Sequence, residues 1–228
     1  MPLCLADGPA GLPRKVLVSN LPRIKVCGLT RPEDAQQALA AGADAFGFVA
    51  ASHSPRCVSS SVAAKVCAKL PDTVRRVGVF VDSSSEEVAR FCEEASLNTV
   101  QLCGSESPEH WSGFVRPIWR RIAVDESGLQ ELSLWADTAE AFVLDNPSGA
   151  GGTGLQVDFD LAARLATHAP CILAGGLNPG NVQEAINLVQ PVGVDASSGL
   201  ESEPGIKNHE LLVSYIRKAS DSFQGLTS

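Results

Sequence analysis

A regular alternation of short apolar runs with amphipathic stretches constrains the fold of this chain more than any other feature. From Arg23 onward, runs rich in Val, Ile and Phe alternate with amphipathic segments, which is the pattern of βαβ units. The predicted strands are 23–27, 45–50, 76–81, 99–103, 117–124, 141–145, 171–175 and 192–197. The predicted helices are 31–41, 59–70, 84–95, 107–114, 126–136, 158–167, 179–189 and 209–219. Eight βα units with short links favour an α/β protein folded as a single (β/α)8 barrel over an open doubly wound sheet.

Residues 1–22 differ from the rest and are predicted to form a loose N-terminal extension, with the barrel domain spanning 23–228. The segment lacks the apolar region and cleavage site of a signal peptide, and it is poor in Arg and Ser for a transit peptide. Two Ser/Thr-to-Glu spacings inside the barrel predict helix capping boxes, Thr30 with Glu33 and Ser83 with Glu86.

Composition excludes several classes of protein. The formal net charge is −8 without any Lys or Arg cluster, which argues against nucleic acid as a partner. No apolar run approaches the roughly 18 residues of a membrane span. The seven cysteines are odd in number and irregularly spaced, which disfavours a disulfide framework and a zinc site. We therefore expect a cytoplasmic protein that binds neither membrane nor metal.

Glycine and serine follow the last three predicted strands, at the barrel face where active sites form. Backbone N–H groups of glycine-rich turns and serine hydroxyls can bind a phosphate. For any single loop, a tight turn without function is the better interpretation. Three such loops on adjacent strands favour a phosphate site, and its predicted residues are Gly152, Gly154, Gly175, Gly176, Ser197 and Ser198.

Cys27 and Asp145 are titratable residues that stand at the ends of strands on opposite sides of the barrel. A sugar phosphate bound between them could lose a proton to one and gain a proton from the other. Cys27 could equally be a buried core residue, since free cysteine is often buried. Asp145 could instead form an Asx turn into the following Asn-Pro-Ser-Gly segment.

The motifs together resemble one family, phosphoribosylanthranilate isomerase of tryptophan biosynthesis. The resemblance extends from about Arg23 to about Ser220. It rests on "KVCGLTRPEDA" (25–35), "AGADAFGFV" (41–49), "SPRCVS" (54–59), "VGVFVD" (77–82), "VQLCG" (100–104), "LDNPSGAGGTG" (144–154), "LAGGLNPGNVQEAI" (173–186) and "GVDASSGLESEPGIKN" (193–208).

The resemblance implies an Amadori rearrangement of N-(5-phosphoribosyl)anthranilate to 1-(o-carboxyphenylamino)-1-deoxyribulose 5-phosphate, without a cofactor. By position, Cys27 matches the general base and Asp145 the general acid of the family. Arg56 matches the arginine that pairs with the anthranilate carboxylate. The implied partner is a small sugar-phosphate substrate, and the chain could be a monomer or a homodimer.

Three residues depart from the family pattern, and two alternative functions remain open. Cys103 replaces a frequent histidine, Leu155 a frequent lysine and Ala196 a usual valine. These changes would suit a catalytically impaired barrel that only binds a sugar phosphate. A related lyase or synthase would need a lysine at a strand end, and Lys25 points the same way as Cys27.

Overall fold

The computed structural model describes residues 21–147 and 156–226 and contains a closed barrel of eight parallel strands in sequence order. All eight predicted strands are present, and the predicted fold class is confirmed. The strands are β1 Ile24–Val26, β2 Ala45–Val49, β3 Arg75–Phe80, β4 Thr99–Leu102, β5 Ile118–Ala123, β6 Ala141–Asp145, β7 Cys171–Leu173 and β8 Gly193–Ala196.

Seven α-helices among the described residues surround the barrel. They are α1 Pro32–Ala41, α2 Ser60–Cys67, α3 Ser85–Ala95, α4 Gly128–Trp135, α5 Phe159–Ala166, α6 Val182–Val189 and α7 His209–Gly225. The prediction of a helix over 107–114 was wrong, because only a 3₁₀ turn, Pro108–Trp111, forms there. Gly113 then takes a left-handed φ of 79°, and the chain enters β5 directly. No helix in the described ranges has the length and apolarity needed to cross a membrane.

The alternation of side chains along the strands divides the barrel into an apolar shell and a layered interior. On β2, Phe46 and Phe48 belong to the large cluster packed between strands and helices. Small and apolar residues from alternate positions fill the lower interior: Leu21, Ala45, Val77, Trp119, Ala141, Val143, Ile172 and Ala174. Above them the interior positions become polar and charged, with Lys25, Gln101 and Asp195 among them, so the residues predicted to form the site lie above a packed apolar layer.

Strands β1 and β8 close the barrel in parallel, with Lys25 opposite Asp195 and Val26 opposite Ala196. Beneath this seam the chain enters through Leu21 and Pro22, which are both buried. A Cβ on Gly193 would lie 2.3 Å from the Pro22 carbonyl oxygen, so β8 needs glycine there. Residues 1–20 of the predicted extension lie outside the described residues.

A hairpin after β8 adds two short antiparallel strands, β9 Glu201–Glu203 and β10 Ile206–Lys207. The hairpin also explains one wrong cap prediction. The Thr30 hydroxyl does not cap α1 but donates to the Gly205 carbonyl at 2.6 Å. The second capping box exists one residue later than predicted, between Ser84 and Glu87.

Candidate active site

A cavity of about 250 Å³ opens at the carboxyl ends of the barrel strands. It brings together seven of the nine residues predicted to form the site, although they are widely separated in sequence. These seven are Cys27, Arg56, Asp145, Gly175, Gly176, Ser197 and Ser198. The other two, Gly152 and Gly154, lie outside the described residues.

Cys27 follows β1 and borders this cavity with only 8% of its surface exposed. Its backbone N–H donates to the Ala196 carbonyl at 2.9 Å, which continues the β1–β8 ladder by one residue. Gly47 on the neighbouring strand makes room for the side chain, because a Cβ there would lie 2.6 Å from the Cys27 sulfur. The position is therefore both well packed and open to a ligand.

A buried ion pair stands beside the Cys27 sulfur. Lys25 is fully buried, and its Nζ lies 2.5 Å from Asp195 Oδ2 across the β1–β8 seam. Burial lowers the pKa of Lys25, but attraction to Asp195 outweighs it, so the pKa is raised and the side chain stays an ammonium ion. Burial raises the pKa of the Cys27 thiol, and the Lys25 ammonium acts against that rise.

Asp145 ends β6 across the barrel and also borders the cavity, with 21% of its side chain exposed. Its Oδ1 accepts the backbone N–H of Asn146 at 2.8 Å, and Arg121 Nε lies 3.7 Å from Oδ2. The Asx-turn interpretation fails, because an Asx turn needs the N–H two residues on and Pro147 has none. The carboxyl group is instead held by the Asn146 N–H and lies beside the Arg121 guanidinium of β5.

Arg56 lines the cavity, but its guanidinium is already engaged by the β9–β10 hairpin. Its Nε donates to Glu201 Oε1 at 2.9 Å and its terminal NH2 group donates to Oε2 at 2.7 Å, a bidentate pair. Lys207 Nζ also donates to Glu201 Oε1, at 2.7 Å. Two cations therefore share one carboxylate, which leaves excess positive charge at this wall of the cavity.

The corner formed by β7 and β8 has the backbone geometry expected of an anion site. Gly175 and Gly176 have φ values of 78° and 72°, in the left-handed region that favours glycine. A Cβ on Gly175 would lie 2.5 Å from Val157 Cγ1, so this turn excludes larger residues. Ser197 and Ser198 face the same cavity, and Lys207 Nζ donates to the Ser197 carbonyl at 3.1 Å. Positive charge thus lies behind the corner.

The sequence analysis missed three residues that line the cavity, Gln101, Arg121 and Asp195, and a fourth, Glu201, that binds Arg56 at its wall. Gln101, Arg121 and Asp195 could have been predicted from side-chain alternation, since each stands at an interior position of a predicted strand. Cys103, which replaces the frequent histidine, accepts a weak hydrogen bond from Gln101 Nε2 at 3.4 Å. Burial raises the pKa of the Cys103 thiol to about 12, so it is a neutral thiol at physiological pH.

In residues 21–147 and 156–226, no three His, Cys, Asp or Glu side chains are grouped so that they could hold a metal ion. The two carboxylates that line the cavity lie beside cations instead, Asp195 beside Lys25 and Asp145 beside Arg121. The chemistry that this arrangement supports is proton transfer between two facing groups, at a site with local positive charge for an anionic ligand.

The sequence model of one family, N-(5′-phosphoribosyl)anthranilate isomerase, matches residues 24–218. The chain belongs to this family. The resemblance and the isomerase class predicted from the sequence are thereby confirmed. A relative of that name from Pelobacter propionicus is 38% identical over 203 residues, which cover 88% of this chain and 96% of the relative.

Solved structures of this family have the same barrel. The phosphoribosylanthranilate isomerase of Thermotoga maritima aligns with a TM-score of 0.82 and 33% identity, covering 88% of this chain and all of that one. A further family structure is a complex with reduced 1-(o-carboxyphenylamino)-1-deoxyribulose 5-phosphate; it aligns with a TM-score of 0.79 and 33% identity, over 88% of this chain and 100% of that one.

Proposed function

We propose that this chain converts N-(5-phosphoribosyl)anthranilate into 1-(o-carboxyphenylamino)-1-deoxyribulose 5-phosphate in tryptophan biosynthesis, without a cofactor. Family membership supports the reaction. The observation that carries the assignment of roles is that Cys27 and Asp145 border one cavity from β1 and β6, on opposite sides of the barrel. Cys27 is the general base and Asp145 the general acid.

In the proposed reaction, Asp145 first protonates the furanose ring oxygen. The C1′–O bond breaks, the ring opens, and the nitrogen lone pair forms an iminium ion at C1′. Cys27, as thiolate, then removes the proton from C2′, and the C–H electron pair becomes the C1′=C2′ double bond of a neutral enolamine. Tautomerisation of the enolamine gives the ketone. Asp145 thus gives one proton to the substrate and Cys27 takes one from it, and the last step moves a proton from the C2′ hydroxyl group to C1′.

Binding of the substrate is assigned to its two anionic ends. The phosphate fits the corner of Gly175, Gly176, Ser197 and Ser198, where left-handed glycines and hydroxyls offer donors to an anion. Gly152 and Gly154 are proposed to complete this corner on sequence grounds alone.

Arg56 is proposed to bind the anthranilate carboxylate at the other end. Glu201 already holds one edge of its guanidinium, and the five N–H donors of arginine leave others for a ligand. Arg56, Lys207 and Glu201 together carry one net positive charge, and because Lys207 contacts both Glu201 and the Ser197 carbonyl, this charge favours an anion at this wall or at the neighbouring phosphate corner. Because the base must be a free thiol, we also place the reaction in the reducing cytoplasm.

The structure disfavours the lyase or synthase alternative. Such an enzyme needs a lysine whose amine can approach a carbonyl group of the substrate. Lys25 is fully buried and its ammonium is bound to Asp195, so it is not available for that role. The impaired binding barrel remains the second candidate, since Cys103 leaves a neutral thiol at the cavity where the family often has histidine.

The test follows the loss of substrate fluorescence after mixing freshly made phosphoribosylanthranilate with the purified protein. We expect turnover by the wild type and a loss of about 100-fold or more in kcat for Cys27→Ala and for Asp145→Asn. Cys67→Ala is the matched control, since Cys67 is a buried cysteine of α2 that does not line the cavity. Binding without turnover in the wild type would favour the impaired barrel, and full activity of Cys27→Ala would remove the assigned base.

A further inference from the structure

We propose that Asp195 is a substrate-binding residue whose second carboxylate oxygen accepts a hydrogen bond from the hydroxyl group on C2′ of the sugar phosphate. This inference rests on the proposed function and adds one contact to it. Lys25 is assigned the role of a positioning residue, which holds the carboxylate in place from the neighbouring strand β1.

The two oxygens of Asp195 are in different situations. Oδ2 is bound by Lys25 Nζ, whereas Oδ1 is buried and has no hydrogen-bond partner among the described residues. The residue is 6% exposed and lines the cavity. Buried polar atoms in native proteins are almost always hydrogen-bonded, so an unpaired carboxylate oxygen at a cavity wall indicates a donor on the ligand.

The charge of Asp195 decides what kind of ligand group it can hold. Burial raises the pKa of this carboxyl group, and the Lys25 ammonium bound to Oδ2 opposes that rise and favours the carboxylate. A carboxylate accepts hydrogen bonds and repels other anions, which excludes the phosphate and the carboxylate of the proposed substrate. The remaining donors of the sugar are its hydroxyl groups. A hydroxyl bound to an ionised acceptor makes one of the stronger hydrogen bonds found in proteins.

The position of Asp195 beside the base selects the hydroxyl on C2′. Asp195 of β8 is paired in register with Lys25 of β1. Cys27 lies two residues after Lys25, just past the end of β1, and its side chain points to the same side. The Lys25 ammonium binds Asp195 and also opposes the rise in the pKa of the Cys27 thiol, so it lies near both groups. Because C2′ carries both the proton that Cys27 removes and a hydroxyl, a substrate with that proton at the sulfur has this hydroxyl beside the neighbouring acceptor. The contact would therefore align the C–H bond with the base.

Binding of two ligands tests the contact. The first is reduced 1-(o-carboxyphenylamino)-1-deoxyribulose 5-phosphate, which carries a hydroxyl on C2, and the second is the same compound without that hydroxyl. Calorimetry with the wild type should show binding of the first at least about tenfold tighter, the value expected of a hydrogen bond to a charged group.

Two variants show whether Asp195 is the source of this difference. Asp195→Asn keeps an amide oxygen for Lys25 and should reduce the affinity ratio of the two ligands about tenfold, towards equality. Asp44→Asn is the matched control: Asp44 accepts the backbone N–H groups of Arg23 and Ile24, away from the cavity, and its loss should leave the ratio unchanged.

The outcomes separate this inference from the proposed function. Equal affinities of the wild type for the two ligands overturn the inference, whether or not any variant folds. An unchanged ratio in folded Asp195→Asn overturns it as well. A wild type that isomerises phosphoribosylanthranilate but shows either result keeps the proposed function and loses only this contact. A wild type without turnover overturns the proposed function, and the inference with it.

Discussion

Replacing Gly47 by alanine tests whether β2 holds the sulfur of Cys27 in its working position. The added Cβ would lie 2.6 Å from the sulfur and 3.1 Å from the Cα of Cys27. Nonbonded heavy atoms pack at about 3.5–4.0 Å, so the sulfur must move by roughly 1 Å. Because the backbone of Cys27 is also too close to the new methyl group, rotation of the side chain alone cannot remove the overlap.

The expected cost has a structural and a catalytic part. Overpacking of this kind destabilises by about 1–3 kcal/mol, which urea unfolding measures directly. A displacement of about 1 Å in a catalytic group can lower the rate by roughly 100-fold. We therefore expect Gly47→Ala to fold with reduced stability and to lose far more of its kcat than of its substrate affinity.

Gly225→Ala is the matched control for this change. Gly225 ends α7, and a Cβ there has no neighbour within 4 Å, so kcat should match that of the wild type and stability should be equal or up to about 1 kcal/mol higher. Wild-type kcat in Gly47→Ala, together with wild-type stability, would refute the argument that Gly47 positions the base. Loss of stability without loss of kcat would refute the claim that moving the sulfur lowers the rate.

Two further predictions concern charged groups. Burial raises the pKa of Asp34, but hydrogen bonds from Arg31 and His209 outweigh it and hold the pKa below its usual value. Its carboxylate thus stabilises the fold above about pH 4 and loses that effect at lower pH; Asp34→Asn should cost about 1.5–3 kcal/mol at pH 7 in urea unfolding, with a difference that shrinks towards pH 2.5. A pH-independent difference would contradict this. Lys25→Met should raise the pKa of Cys27 further, so that iodoacetamide modifies Cys27 more slowly at pH 8, as measured on the Cys27 peptide by mass spectrometry. Equal or faster modification would show that Lys25 does not favour the thiolate.

The strands and the positions at their ends could be predicted from sequence because their signals are local. Each apolar run sits between turn residues, and side-chain alternation then assigns every second residue to the interior. Cys27 and Asp145 were found for this reason. The same alternation assigns Asp195 to the barrel interior, because it precedes Ser197 by two residues and side chains two residues apart on a strand point to the same face.

The contacts of the loops could not be predicted in this way, because their partners are distant in sequence. Arg56 and Glu201 are 145 residues apart, and only the folded β9–β10 hairpin brings them together. The wrong cap at Thr30 has the same origin, since its hydroxyl binds a carbonyl group 175 residues away. The helix predicted over 107–114 was wrong for a local reason. The segment forms only a short 3₁₀ turn, and Gly113 takes a left-handed conformation that ends it.

The ion pair across the barrel seam ties catalysis to the completion of the chain. Lys25 leaves the ribosome early, and its partner Asp195 follows 170 residues later. Until then the Lys25 ammonium has no counter-charge with which it could be buried, and the neighbouring thiol has no fixed surroundings. A nascent or truncated chain that lacks the eighth strand would carry the proposed base in its sequence but could not hold it in a working geometry.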